Sequence, residues 1–156
     1  MVKMRIFGVI PAAILAAACG GSSAPANTFS AALNGTSEVP PTTSSGTGTA
    51  AYTLSGTTMT YTITYTGLTG KPVASHIHVG STTAAGPVVL PFTLPTTLTG
   101  GSGTFSGSFT TADIKQPPVA GVASLDDLLF QMRNGNTYTN VHTAANGGGE
   151  IRGQNH

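Results

Sequence analysis

Residues Thr58-Met59-Thr60-Tyr61-Thr62-Ile63-Thr64-Tyr65-Thr66 alternate without a break between threonine and a large apolar side chain. A period of two is the repeat of an extended strand, whose successive side chains point to opposite faces. In a helix the same residues would be scattered around the circumference, and β-branched threonine would lose rotamer freedom. The segment therefore reads as a strand with one face for a core and one hydroxyl face for water. Strands of that kind belong to antiparallel sheets, which pack on one side only. Its partner is Ala50 to Leu54, across the turn Ser55-Gly56.

The same pattern recurs along the chain. Further strands are expected at Phe29 to Leu33, Val73 to Val79, Pro87 to Leu90, Thr104 to Thr110, Leu128 to Arg133, Thr137 to Thr143 and Gly149 to Gly153. Turn residues separate them: Asn34-Gly35, Gly70-Lys71-Pro72, Gly100-Gly101, Asn134-Gly135-Asn136 and Gly147-Gly148-Gly149. A helical turn fits near Thr111 to Lys115, or around Ser124 to Leu128, where Ser124 can cap. Thr42 to Thr49 reads as a mobile edge loop. Roughly seven to nine short strands in one domain-sized chain imply an all-β, antiparallel Greek-key sandwich. It would occupy residues 28–155, with no internal repeat and no second domain.

Composition narrows the function. The 156 residues include 26 threonines and 21 glycines, only 7% are charged, and the formal net charge is +1. Six scattered Lys and Arg cannot form the clustered basic surface that phosphate backbones require, which excludes nucleic acid as a partner. A single Cys excludes an internal disulfide and any multi-cysteine metal site. No glycine loop of the phosphate-cradling kind precedes a helix, and no organic cofactor is expected.

The first 19 residues read as an export signal. Lys3 and Arg5 give a positive start, Ile6 to Ala18 is an apolar run too short to span a bilayer, and Ala16-Ala17-Ala18 lead to Cys19. Residues 20–27 then form a flexible tether. The pattern resembles a bacterial lipoprotein signal, with Cys19 lipidated and made the mature N-terminus. Leu15 stands four residues before the Cys, where such signals usually have three. The resemblance implies a chain exported to the cell envelope and held to a membrane by its lipid. The alternative is an ordinary secretory signal with an incidental thiol.

Chemistry is concentrated in the histidines. In Ser75-His76-Ile77-His78-Val79, the two imidazoles share a strand face roughly 6–7 Å apart, while Ile77 points into the core. Such a pair can converge on one zinc or copper ion. His142 stands on another strand, with Val141 facing the core and His142 facing away. The three can share an ion only if the two strands are neighbours. His156, the last residue, is expected to be disordered. The competing reading is three ordinary surface histidines.

At these residues a family resemblance enters. Ala32-Leu33-Asn34-Gly35-Thr36-Ser37-Glu38-Val39-Pro40-Pro41, Ser75-His76-Ile77-His78-Val79-Gly80, Gly86-Pro87-Val88-Val89, Tyr138-Thr139-Asn140-Val141-His142-Thr143 and Gly148-Gly149-Glu150-Ile151-Arg152-Gly153-Gln154 together resemble the CHRD domain, over about Phe29 to Gln154. That family has in turn been likened to the immunoglobulin-like sandwich of copper/zinc superoxide dismutase. The likeness implies that His76 and His78 match a pair of copper ligands, that His142 matches a later one, and that Arg152 stands near an anion-guiding arginine. It departs from that pattern elsewhere. No His stands where one would bridge copper to zinc, no zinc-binding loop is present, and the dismutase disulfide is impossible.

Other polar residues have simpler expectations. Glu38 can accept a hydrogen bond from a ligand imidazole, or merely fix the turn before Pro40-Pro41. Glu150 and Arg152 share a strand face and are expected to pair. Met59 and Met132 continue apolar stripes, Met132 with Leu128 and Phe130, and read as core. Asp126 and Asp127 are adjacent and do not form a dyad. The resulting expectation is an exported CHRD-domain protein holding one copper or zinc ion through His76, His78 and His142. The alternatives are a metal-free module that binds a surface polymer or protein, and a mononuclear copper enzyme of the dismutase kind.

Overall fold

A computed structural model of the chain describes Met1 and residues 26–156. The signal reading, Cys19 included, and the tether up to residue 25 lie outside those residues. The elements in order are β1 (Thr28–Asn34), β2 (Thr47–Ser55), β3 (Thr58–Leu68), β4 (Pro72–Val79), β5 (Val88–Pro91), β6 (Gly101–Phe109), helix α1 (Leu125–Arg133), β7 (Thr137–Thr143) and β8 (Ile151–Gln154). Short 3-10 turns follow β1 at Gly35–Ser37 and β6 at Thr111–Asp113. Among the described residues no helix is long and apolar enough to cross a membrane.

The strands form one antiparallel sheet in the order β5-β4-β7-β8-β1-β2-β3-β6. Its weak seam is between β8 and β1, where the paired position is Asn34 with Arg152. The seam divides two four-stranded halves. β6 returns beside β3 and β7 returns beside β4, the long-range pairings of a Greek key. The all-β antiparallel expectation is met.

One core fills the space between the halves. On β3, Met59, Tyr61, Ile63 and Tyr65 are buried, while Thr60, Thr62, Thr64 and Thr66 face water. Ile63 pairs with Ala50 of β2 on one side and Phe105 of β6 on the other. From the other half, Ile77, Val141 and Ile151 join the same core. Phe92, just beyond β5, brings its ring centroid to 4.3 Å from that of Tyr61 and so ties one half to the other. Each large apolar side chain buried in this way contributes about 1.5–3 kcal/mol.

Four expectations are corrected. Leu128 to Arg133 is the end of helix α1 and not a strand. Leu125, Leu128, Leu129 and Met132 follow helical spacing and are buried, whereas Phe130 is 62% exposed. Ser124 caps the helix, its side chain accepting from the Asp127 N–H. The stretch Thr42 to Thr49 is no edge loop. Ser44 Oγ donates to Glu150 Oε1 at 2.7 Å, Thr42 Oγ1 donates to the Glu150 carbonyl at 2.9 Å, and the last residues enter β2 inside the sheet. His156 is not loose, because its backbone exchanges two 2.9 Å hydrogen bonds with Ser30. The expected Glu150–Arg152 pair does not form. Glu150 instead accepts from Ser44, from the Thr69 N–H and hydroxyl, and from Thr143.

Candidate metal centre

The half β5-β4-β7-β8 has a polar outer face. Strand alternation turns Ile77 and Val141 inward, and it turns His76, His78, Tyr138, Asn140 and His142 outward. β4 and β7 are direct neighbours, in a register that sets His76 opposite Asn140, His78 opposite Tyr138 and Ala74 opposite His142. The condition for the three histidines to meet is therefore fulfilled.

Loops cover this face, so β7 is buried on both sides. The segment after β4 supplies the Gly86 carbonyl oxygen, 2.8 Å from His78 Nδ1. The glycine-rich segment after β7 supplies the Gly147 carbonyl oxygen, 3.0 Å from His142 Nδ1. An alanine at Gly86 would place its Cβ 1.7 Å from the Val79 carbonyl oxygen. Only glycine lets this loop lie so close to β4.

Those two carbonyls fix the tautomers. A carbonyl oxygen only accepts, so Nδ1 of His78 and of His142 carries the hydrogen in the neutral ring, and each Nε2 is left as a lone pair. The His142 Nε2 lone pair accepts from His76 Nδ1–H at 3.1 Å, so His76 must shift that hydrogen to its Nε2 before Nδ1 can hold an ion. The three rings offer one nitrogen each, all within 4.8 Å of one another. His78 Nε2 is buried and has no hydrogen-bond partner.

Burial lowers the pKa of all three rings and so favours their neutral form. It brings His76 down to about 4, with the neighbouring His142 and His78 charges adding to the effect. His78 and His142 are lowered chiefly by burial as well, and the Gly86 and Gly147 carbonyls pull the other way. Neutral imidazole is the form that binds metal ions.

Tyr138 and Asn140 belong to this face, although neither stood out in the sequence. The Tyr138 ring is stacked on His78, with centroids 4.6 Å apart and planes 10° from parallel. Arg152 lies over the same ring, its guanidinium carbon 3.4 Å from the centroid. Two groups that close must take opposite faces of the ring, so Tyr138 stands between Arg152 and His78. The guanidinium also donates to the Ser81 and Ala84 carbonyls. Arg152 is thus a buried brace for the covering loop, and it does not stand beside the imidazoles as an anion-guiding arginine would. Glu38 is buried, with Oε1 unpartnered, and it packs against the backbone of Gly149. Burial pushes its carboxyl up to about 7, against the pull of Arg152 and the Val39 N–H. The Nδ1 partners of His78 and His142 are the Gly86 and Gly147 carbonyls, so Glu38 is not the acceptor for either ring. The signal for Tyr138 and Asn140 was available, since both precede His142 by even steps along one strand.

An antiparallel sheet that carries three converging, neutral imidazoles under its covering loops defines an all-β protein with a candidate metal centre. The chain belongs to the CHRD domain family, whose model matches residues 29–155. No curated protein and no solved structure matches it.

Proposed function

We propose that this CHRD-domain protein binds one copper or zinc ion through His76 Nδ1, His78 Nε2 and His142 Nε2. The observation that carries the reading is the pair of carbonyls, Gly86 and Gly147, which aim two Nε2 lone pairs toward a third imidazole. Histidine ligands commonly donate their other N–H in this way, which orients the ring and raises its basicity. Distances support it too. Two metal–nitrogen bonds of about 2.0–2.1 Å meeting at about 100° span about 3.1 Å, and His76 and His142 are 3.1 Å apart. Opposed bonds of that length reach about 4.1 Å, so a nitrogen at the far limit of the cluster closes by less than about 1 Å.

The protein would do this work in the cell envelope, lipidated at Cys19 and held to a membrane by that lipid. Binding or buffering of the ion is the preferred role. A dismutase-like reaction is not favoured, because Arg152 lies on the far side of Tyr138 from His78.

The test is elemental analysis of the full chain, purified without a histidine tag after exposure to Cu(I), Cu(II) or Zn(II). One retained equivalent, lost in both His76→Ala and His142→Ala, is the expected result. No retained metal, or equal retention in both variants, would reject the site and favour a metal-free module for a surface polymer or protein. Loss of membrane association and of the lipid mass in Cys19→Ser tests the anchor separately.

A further inference from the structure

One buried polar group on the face of β7 is unexplained by three imidazole ligands. Asn140 stands opposite His76 in the β4–β7 register and two residues before His142. It is 2% exposed, and its Oδ1 is buried without a hydrogen-bond partner. An acceptor left in that state costs about 1–3 kcal/mol, so native proteins seldom keep one without use.

His78 cannot relieve it. On the shared outer face Asn140 stands directly opposite His76 and diagonal to His78. His78 Nε2 is itself a buried, partnerless lone pair, because the ring hydrogen is held on Nδ1 by Gly86. Moving that hydrogen to Nε2 would set a bare Nδ1 against the Gly86 oxygen. Two lone pairs therefore share one dry neighbourhood, and a cation placed among the imidazoles answers both at once.

We propose that Asn140 Oδ1 is the fourth donor of the metal centre, completing a set of three nitrogens and one oxygen. The inference rests on the metal reading of the three histidines. It also selects the ion. Soft sulfur donors suit Cu(I), whereas imidazole with a hard carbonyl oxygen suits a divalent ion such as Cu(II) or Zn(II).

The experiment uses the full chain, its Asn140→Ala and Asn140→Asp variants, and Cu(II) and Zn(II) as the probes. Affinities come from competition with a chelator, and the Cu(II) forms are compared by electron paramagnetic resonance. Asn140→Ala is expected to bind about 10–100-fold more weakly. Asn140→Asp, which keeps an oxygen and adds charge, is expected to bind at least as tightly as the wild type, with a shifted copper hyperfine splitting. In the metal-free Asn140→Ala protein, relief of the unpartnered acceptor and loss of buried packing oppose each other, so the chain should stay folded with a melting temperature within about 8 °C of the wild type. Wild-type affinity in Asn140→Ala, or an unshifted spectrum in Asn140→Asp, would overturn the assignment while leaving the three-histidine site intact. So would weakened metal affinity in Asn140→Asp, whereas lower metal-free stability of that variant is expected in either case because it buries a carboxylate. A wild-type chain that retains neither ion removes the metal centre itself. If Asn140→Ala does not fold, the Asn140→Asp spectrum decides.

Discussion

Arg152 packs its guanidinium 3.4 Å above the ring centroid of Tyr138. It also donates to two carbonyls of the loop that covers β4, those of Ser81 and Ala84. A planar, delocalised cation can stack and donate sideways at once, and a lysine ammonium cannot. Arg152→Lys should therefore destabilise the fold by about 1–3 kcal/mol, read as a lower urea midpoint at unchanged slope. An unchanged midpoint would mean that the stack contributes nothing.

Glu150 makes a second clamp, joining the end of β7 to the segments at Ser44 and Thr69. Burial alone would raise its carboxyl, but hydrogen bonds from Thr143, Ser44 and Thr69 outweigh it and hold the group down to about 2. A folded value below the ordinary carboxylate value stabilises the protein at neutral pH. That contribution is complete above pH 4.5 and disappears as pH falls through about 2. Glu150→Gln keeps the shape and removes the charge. Its unfolding free energy should be lower than that of the wild type at pH 7, by about 1–3 kcal/mol, and should converge with it near pH 2. Parallel stability curves from pH 7 to pH 2 would refute the clamp.

Much of this molecule is legible in the sequence because its strands are amphipathic. Thr58 to Thr66 declares both faces of β3, and His76, Ile77 and His78 sort correctly by alternation alone. What the sequence hides is set by contacts distant along the chain. Nothing local to Arg152 indicates Tyr138 as its neighbour, and nothing near Ser44 indicates Glu150, 106 residues away. Segments that satisfy two periods also mislead. Leu128, Phe130 and Met132 fit a strand, yet Leu125, Leu128, Leu129 and Met132 fit a helix as well, and Ser124 with Asp127 tips the balance toward the helix.

That ambiguity has an energetic test. Leu128 is fully buried on α1, whereas Phe130 is 62% exposed. On a strand the two would share a face and behave alike. On the helix, Leu128→Ala should cost about 2–5 kcal/mol, and Phe130→Ala should stay within about 0.5 kcal/mol. Chemical denaturation of the two variants separates the cases, and equal large losses would restore the strand.

Gly86 links the covering loop to the candidate metal centre, which makes it the position where fold and site can be separated. Its carbonyl holds His78 Nδ1 at 2.8 Å, and its Cα lies too close to Val79 for any side chain. A Cβ there would stand 1.7 Å from the Val79 oxygen, so Gly86→Ala must move the loop away from β4. His76 and His142 make no hydrogen bond to this segment, whereas Tyr138 and Val79 do, and His78 loses the acceptor that fixes its tautomer and its aim. Loss of such an outer partner typically lowers metal affinity about 10–100-fold. The expected result is a folded Gly86→Ala protein with weakened Cu(II) and Zn(II) retention and the same antiparallel sheet signature by circular dichroism. Wild-type retention in that variant would show that the Gly86 carbonyl does not orient His78, and the case for a preorganised centre would then rest on Gly147 and His142 alone.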